Sequence, residues 1–214
     1  GSGLPLSYEV PAGRATAELL IRRSTFIAAV GPAADVATAQ AFVAEIKAIY
    51  PDASHHASAY RLGGGPQAAI GSSDDGEPGG TAGRPMLAVL EGSGLQQVVA
   101  VVTRYFGGIK LGSGGLVRAY GGAVREALRT LPRRTFQLHH LADITCDYAL
   151  YGKLKYLLPQ RRVRILAEAF AADISLQMAV PHPELDTLDD LLRELSNGKI
   201  RLAPRATQYL SNDD

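Results

Sequence analysis

The stretch VVAVVTRYFGGIKLGSGGLVRAYGGAV, residues 98–124, decides the fold of the first half of this chain. It begins with a continuous apolar run, which predicts a buried central strand over Gln97 to Tyr105. A glycine-rich loop follows, and apolar residues then recur at helical spacing, which predicts a helix over about Gly115 to Leu131 with Ser113 as its cap. The buried stripe of this helix is predicted to comprise Val117, Tyr120, Val124, Leu128 and Leu131.

A strand that enters a helix through a glycine-rich loop offers a place for an anion. Unpaired backbone N–H groups and the positive end of the helix dipole favour phosphate there. Lys110 lies in the loop, and three arginines of the predicted helix, spaced by seven and four residues, fall on the side opposite the apolar stripe. We therefore predict an anion-binding or nucleic-acid-binding surface formed by Arg104, Lys110, Gly112, Ser113, Gly114, Gly115, Arg118, Arg125 and Arg129.

The alternative for this surface is structural: the glycines allow close packing of helix on sheet, and the arginines form a solvated face. Sequence motifs of known mechanism do not decide between the anion-binding and the structural interpretation. The Walker A motif, the dinucleotide-binding G-x-G-x-x-G motif and the G-x-S-x-G nucleophile elbow are all missing from the sequence in the required context.

A second segment, SSDDGEPGGTAGRP at residues 72–85, carries the carboxylates of Asp74, Asp75 and Glu77 within four positions. Oxygen ligands crowded on a loop suit magnesium or calcium. We favour the alternative that they face water or accept hydrogen bonds from backbone N–H groups. His55 and His56 are candidates for a general base or a nucleic-acid contact, although adjacent histidines at the start of a strand are more often structural. The sequence assigns no catalytic residue, no metal and no cofactor.

Composition limits the classes of function. The chain has 214 residues with 22 Lys+Arg and 21 Asp+Glu, so its net charge of +1 gives no global signature of nucleic-acid binding, and any such partner must meet a local patch. A single cysteine, Cys146, excludes a framework of intrachain disulfides and fits a reducing cytosol. No apolar run approaches the ~18 residues of a membrane span. We expect a cytoplasmic protein with no membrane partner.

The two halves of the chain differ. Seventeen of the 23 glycines lie between Gly63 and Gly122, and the predicted short strand from Gln67 to Ile70 follows three of them. After a boundary near residue 135, elements follow in the order strand, helix, strand, strand, helix, strand, which predicts a ferredoxin-like domain. We place domains at 1–135 and 136–214, with Tyr148 in the first strand of the second domain, and with Ile200 and Leu202 opening its last strand.

Three motifs together carry a resemblance to a known family. The segments DASHHASAYR (residues 52–61), SSDDGEPGGTAGRPML (72–87) and the stretch 98–124 occur in the order and spacing of the IMPACT family, also called the YigZ family or uncharacterised protein family 0029. The second half resembles the accessory domain of bacterial members, which is similar to the last domain of elongation factor G. The residues that match the family motifs include His55, Asp74, Asp75, Gly76, Glu77 and Thr81.

For the first half, the resemblance implies the α+β fold of the second domain of ribosomal protein S5 and of domain IV of elongation factor G, shared with kinases of the galactokinase group. Eukaryotic members bind an activator of a starvation-responsive kinase, but they pair the module with a different domain, so that role is not transferred to this chain. Bacterial members are usually described as translation regulators.

The function expected on these grounds is regulation of translation through binding of RNA or the ribosome. One alternative is an enzyme of kinase or hydrolase type that acts on a phosphorylated small molecule or nucleotide, for which the acidic and glycine-rich loops must face one cleft. Another is a regulator that contacts a translation-related protein, which rests on family analogy.

Overall fold

The computed structural model describes residues 3–63 and 68–213 and divides the chain into two compact units. The first unit is Tyr8–Arg134, and the second combines Gly1–Ser7 with Thr135–Asp214. The sequence assigns residues 3–7 to the first domain, whereas the structure groups them with the second. The reason is hydrogen bonding, because the Leu138 N–H donates to the Leu6 carbonyl (2.9 Å) and the Tyr209 hydroxyl donates to the Pro5 carbonyl (2.6 Å).

The first unit is built on an antiparallel sheet with helices on both faces. Its elements, in chain order, are β1 (Ser7–Pro11), β2 (Ala15–Ile21), β3 (Ser24–Pro32), α1 (Val36–Ile49), β4 (His55–Leu62), β5 (Ala69–Ser73), α2 (Gly83–Gly92), β6 (Val98–Tyr105) and α3 (Gly112–Leu128). The strand order in the sheet is β2-β3-β6-β4-β5. The predicted strand from Gln67 begins outside the described residues, and β5 extends three residues beyond its predicted end at Ile70.

The apolar run of β6 occupies the centre of this sheet, as the sequence predicts. Val98, Ala100 and Val102 pack into the core shared with α2 and α3, and Val99 and Val101 pack on the other face against α1. Both faces of the strand are therefore covered, which explains why its residues do not alternate between apolar and polar.

Helix α3 differs from its prediction at its start and on one side. It begins at Gly112, so Ser113 lies within its first turn, and Leu111 occupies the cap position without a side-chain hydrogen bond. Leu116 is buried, whereas Val117 is 40% exposed. The error has a simple origin: two adjacent apolar residues fit a helical period almost equally well, and the flanking alanines, Ala119 and Ala123, place Leu116 on the packed side.

The second unit has the predicted order of elements. These are β7 (Arg133–Cys146), α4 (Tyr148–Gln160), β8 (Arg164–Phe170), β9 (Ile174–Pro181), a short 3₁₀ helix (His182–Glu184), α5 (Leu185–Leu195) and β10 (Pro204–Ser211). Strands β10, β7, β9 and β8 are neighbours in that order, and every pair is antiparallel. The structure is thus α+β in both units.

Two predictions in the second unit were wrong. Tyr148 opens α4 instead of ending a strand, because the Asp147 side chain accepts a hydrogen bond from the Leu150 N–H (2.8 Å) and caps the helix. Ile200 and Leu202 precede β10 and pack against the core instead of pairing in the sheet.

Among residues 3–63 and 68–213, no helix has the length and apolar character that crossing a bilayer requires.

The glycine run of the first unit has a packing role at two positions. A β-carbon on Gly107 would overlap the Arg23 carbonyl group in the turn between β2 and β3. A β-carbon on Gly83 would lie 2.8 Å from the Ser73 backbone nitrogen. Only glycine allows two backbone segments to lie so close together at these points. Gly107 and Gly83 each border one of the loops described below.

We expect Gly107→Ala to lower the free energy of unfolding by about 1–3 kcal/mol, because the clash is with backbone that cannot rotate away. Gly92→Ala is the matched control, since no atom lies within 4 Å of its β-carbon position in α2, and it should be neutral or stabilising by up to about 1 kcal/mol. Urea denaturation followed by circular dichroism measures both. Equal stability of the two variants would contradict the close approach.

Candidate anion and nucleic-acid site

A cavity of about 530 Å³ lies at the amino end of α3, and we call it the α3 cavity. Its walls come from the start of β4, the acidic loop (residues 74–82, between β5 and α2), the end of β6 and the loop into α3. The structure thus brings together six residues that the sequence singled out separately. These are His55, Glu77, Arg104, Lys110, Gly112 and Ser113.

A buried ion pair forms the back of the α3 cavity. One guanidinium nitrogen of Arg104, Nη1, donates to Glu77 Oε1 (2.7 Å), and the Tyr120 hydroxyl donates to the same oxygen (2.6 Å). The Arg104 and Glu77 side chains are only 6% and 3% exposed. Burial and the neighbouring carboxylate raise the pKa of Tyr120 far above its usual value, so its hydroxyl keeps its proton.

Arg104 is therefore buried, whereas the sequence predicts it as a surface contact for phosphate. Its second terminal nitrogen, Nη2, donates to Ser24 Oγ (3.3 Å), and its guanidinium lies 5.4 Å from the ring of Phe26 and 5.3 Å from that of Phe106. Burial of Arg104 follows from its place at the end of the central strand, where both faces are covered. The sequence does not indicate this burial, because the apolar run of β6 stops two residues before Arg104.

His55 lies beside the ion pair. Its Nδ1 lies 2.8 Å from the Asp75 carbonyl oxygen. Because a carbonyl only accepts, this nitrogen is the donor of the hydrogen bond. The other nitrogen, Nε2, faces Glu77 Oε1 at 3.7 Å. His56 serves the fold, since its Nε2 lies 2.8 Å from the Tyr50 carbonyl and its side chain is 9% exposed.

The carboxylates of the acidic loop have separate partners. Asp74 accepts hydrogen bonds from the backbone N–H groups of Gly80, Ala82 and Gly83 and so caps the start of α2. Burial alone would raise the pKa of Asp74, but these three donors lower it below the usual value. The loop thus places the Asp74 carboxylate next to the N–H groups at the amino end of α2.

Asp75 points elsewhere, and Glu77 is already paired. Asp75 accepts from the His56 N–H (2.8 Å) and lies 3.5 Å from Lys47 Nζ. Asp74 and Asp75 thus accept hydrogen bonds from backbone N–H groups, which is the structural alternative stated for these two carboxylates. Within residues 3–63 and 68–213, no three His, Cys, Asp or Glu side chains are grouped as metal ligands.

The first turn of α3 is open to an anion. Gly112, Ser113 and Gly114 are exposed, the turn contains no acidic residue, and no side chain caps it. Helices usually carry an acceptor or a negative charge at this end. The Arg118 guanidinium instead lies along the turn, with Nη1 3.3 Å from the β-carbon position of Gly114. The site the sequence predicts is neither sealed by side chains nor surrounded by free carboxylates.

The arginines of α3 line a groove rather than a flat face. This groove, of about 890 Å³, runs between α2 and α3 and has Val89, Val117 and Gly121 among its lining residues. Arg118, Arg125 and Arg129 line it together with Arg133, which the sequence prediction missed because it lies beyond the helix. Arg129 has a partner in Glu126 (3.3 Å) and Arg133 in Glu9 (3.1 Å). In the part of the chain that the structure describes, Lys110, Arg118 and Arg125 have no ion-pair partner.

Comparison with known proteins connects this geometry to a family. A model of the Impact N-terminal domain matches residues 22–128, and a model of a domain of unknown function (DUF1949) matches residues 144–199. The IMPACT family member YigZ of Escherichia coli (strain K12) is 40% identical over 200 residues, covering 92% of this chain and 97% of that protein. The chain belongs to the IMPACT family.

Other IMPACT relatives extend over a similar length. YvyE of Bacillus subtilis (strain 168) is 36% identical over 193 residues, covering 90% of this chain and 88% of that protein. A crystal structure described as that of a hypothetical protein has a TM-score of 0.60 and 38% identity, and covers 95% of this chain and 99% of that one. These likenesses establish the family, and the names of these relatives specify no ligand.

The IMPACT motif residues form one connected structure in this chain. His55, Asp75 and Glu77 contact one another directly or through the backbone, Gly76 takes a left-handed φ of 87°, and the Thr81 hydroxyl donates to the Pro78 carbonyl. Tyr120 completes this network, although the sequence places it only in the helix core. The hydroxyl of Tyr120 could have indicated this role from the sequence, since a buried tyrosine O–H usually has a hydrogen-bond partner.

We expect Asp74→Ala to lower the free energy of unfolding by about 1–2 kcal/mol at pH 7, because three backbone donors are left without their acceptor. The pKa of Asp74 is lower in the folded state, so its contribution is complete above the unfolded value of about 3.9 and is lost as the pH falls through the folded value. The difference between wild type and variant should therefore shrink in acid.

Urea denaturation at pH 7, 5 and 3 measures this difference. Asp143→Ala is the control, because Asp143 forms an exposed ion pair with Arg205 (3.0 Å) that contributes at most about 1 kcal/mol. A stability difference for Asp74→Ala that is the same at all three pH values would show that its charge has no part in the cap.

Proposed function

We propose that this IMPACT-family chain binds the phosphate backbone of structured RNA, free or in the ribosome, through α3, and that it regulates translation in this way. The observation that carries the proposal is the first turn of α3, which has no cap and no acidic residue and lies between Lys110 and Arg118. Exposed N–H groups beside two unpaired cations attract a phosphate, and no internal anion competes for them.

The length of the basic surface supports a polymer. From Gly112 to Arg129 the helix extends about 25 Å, with Arg118 and Arg125 between them. A backbone with regularly spaced phosphates can follow such a row, and the apolar lining of the groove leaves space for sugar and base edges. The carboxylates of the nearby acidic loop have partners inside the protein, since backbone N–H groups donate to Asp74 and Asp75 and Arg104 forms an ion pair with Glu77.

The role in translation is supported by the resemblance of both halves to modules of elongation factor G. Within this proposal Arg104 acts as a positioning residue, because its ion pair holds the walls of the cavity, and Lys110, Gly112, Ser113, Gly114 and Gly115 meet the phosphate. Arg118, Arg125 and Arg129 extend the contact along the groove.

We expect Lys110→Ala/Arg118→Ala to weaken binding of a short RNA hairpin and to reduce the slope of log K against log salt by about 0.7–0.9 for each phosphate that is no longer neutralised. Fluorescence anisotropy across a salt series measures both quantities. Arg14→Ala/Lys199→Ala removes the same charge elsewhere and should leave the slope unchanged. Negligible RNA binding by wild type, or equal binding by both double variants, would reject the proposal.

A further inference from the structure

Two polar groups at the back of the α3 cavity have no hydrogen-bond partner among the described residues, and one of them, Arg104 Nε, is a fully buried atom. Glu77 Oε1 receives both hydrogen bonds described above, whereas Oε2 has none among the described residues. Arg104 Nε also lacks a partner within the described part of the chain. Both side chains are more than nine-tenths buried and line the cavity. Because an unpaired buried N–H group is costly, this wall is suited to a ligand that accepts a hydrogen bond from Arg104 Nε and donates one to Glu77 Oε2.

The front of the cavity offers hydrogen-bond donors and a positive charge for an anion. The backbone N–H groups of Gly112, Ser113 and Gly114, in the first turn, have no intrahelical partner, and Lys110 lies beside them. A phosphate monoester has three terminal oxygens and nearly two negative charges, whereas a diester within a chain has two such oxygens and one charge. The number of donors therefore favours a terminal phosphate.

Apolar surface connects these two ends. Phe106 is 49% exposed, and its ring is held on one side by the Arg104 guanidinium at 5.3 Å. Leu111 and Leu116 also line the cavity. An exposed aromatic ring beside a cation is a stacking platform for a base. The volume of about 530 Å³ lies within the range of roughly 300–1,000 Å³ typical of small-molecule sites.

We propose that the α3 cavity binds one nucleoside monophosphate unit, as a free nucleotide or as the phosphorylated end of an RNA. The phosphate lies at the first turn of α3 beside Lys110, and the base stacks on Phe106. An amino or hydroxyl group of the nucleoside donates to Glu77 Oε2, and an oxygen or ring nitrogen of the nucleoside accepts from Arg104 Nε. This inference rests on the anion-binding role proposed above for the first turn of α3, but it does not depend on the arginines further along the helix.

The test uses the full chain and isothermal titration with the four nucleoside 5′-monophosphates, with adenosine and inorganic phosphate as partial ligands. At least one monophosphate should bind about tenfold more tightly than either partial ligand, because phosphate and nucleoside contacts must act together. Lys110→Ala and Phe106→Ala should each weaken that binding about tenfold. Both side chains are exposed, so the variants should keep the melting temperature of the unliganded protein.

Arg125→Ala is the matched control, because it lies in the groove and outside the cavity. It should leave nucleotide binding unchanged while weakening RNA binding. Short RNAs that carry a 5′-phosphate, a 3′-phosphate or neither distinguish the source of the ligand. Tighter binding of a phosphorylated end assigns the cavity to RNA termini, and equal binding of all three RNAs beside tight nucleotide binding assigns it to free nucleotides.

The outcomes separate this inference from the proposed function. Monophosphate binding no tighter than that of adenosine or phosphate, or unaffected by Lys110→Ala and Phe106→Ala, overturns the inference. If RNA binding in that case still depends on Arg118 and Arg125, the proposed function survives alone. Tight monophosphate binding without RNA binding supports the inference and rejects the proposed function.

Discussion

Arg104 and Glu77 form a buried ion pair, and the geometry of the first unit around α3 depends on it. Arg104 belongs to β6, Glu77 to the acidic loop, and the Tyr120 hydroxyl adds a contact from α3. Removing one member of such a pair leaves an uncompensated buried charge and typically costs about 3–5 kcal/mol. The three elements are therefore fixed to one another, and the cavity between them has a defined shape.

The acidic and basic side chains of the first unit differ in whether they have partners. Each carboxylate of the acidic loop has a partner inside the protein. Backbone N–H groups donate to Asp74, His56 and Lys47 contact Asp75, and Arg104 pairs with Glu77. On α3 the balance is reversed, since Arg118 and Arg125 have no carboxylate partner in the described part of the chain. A chain with a net charge of only +1 can thus present a locally basic surface.

Much of the fold could be predicted from the sequence because the patterns that specify it are local. The apolar run of β6, the cap of α1 at Asp35 and the alternation in β9 are each complete within a short segment. The site was predictable only in part, because its main contact joins residues 77 and 104, and no local pattern shows that pairing. The motif residues were identified by resemblance, but their roles required the contacts.

The central position of β6 has a consequence for the synthesis of this protein. Strands β3 and β4 both pair with β6 and not with each other, and β6 is the last strand of this sheet to be synthesised. Until it emerges, the two hairpins that precede it expose unpaired edges and apolar faces, and such long-range pairing closes slowly. A nascent chain should stay vulnerable to aggregation until β6 has left the exit tunnel, so chaperone engagement is expected to peak just before that point.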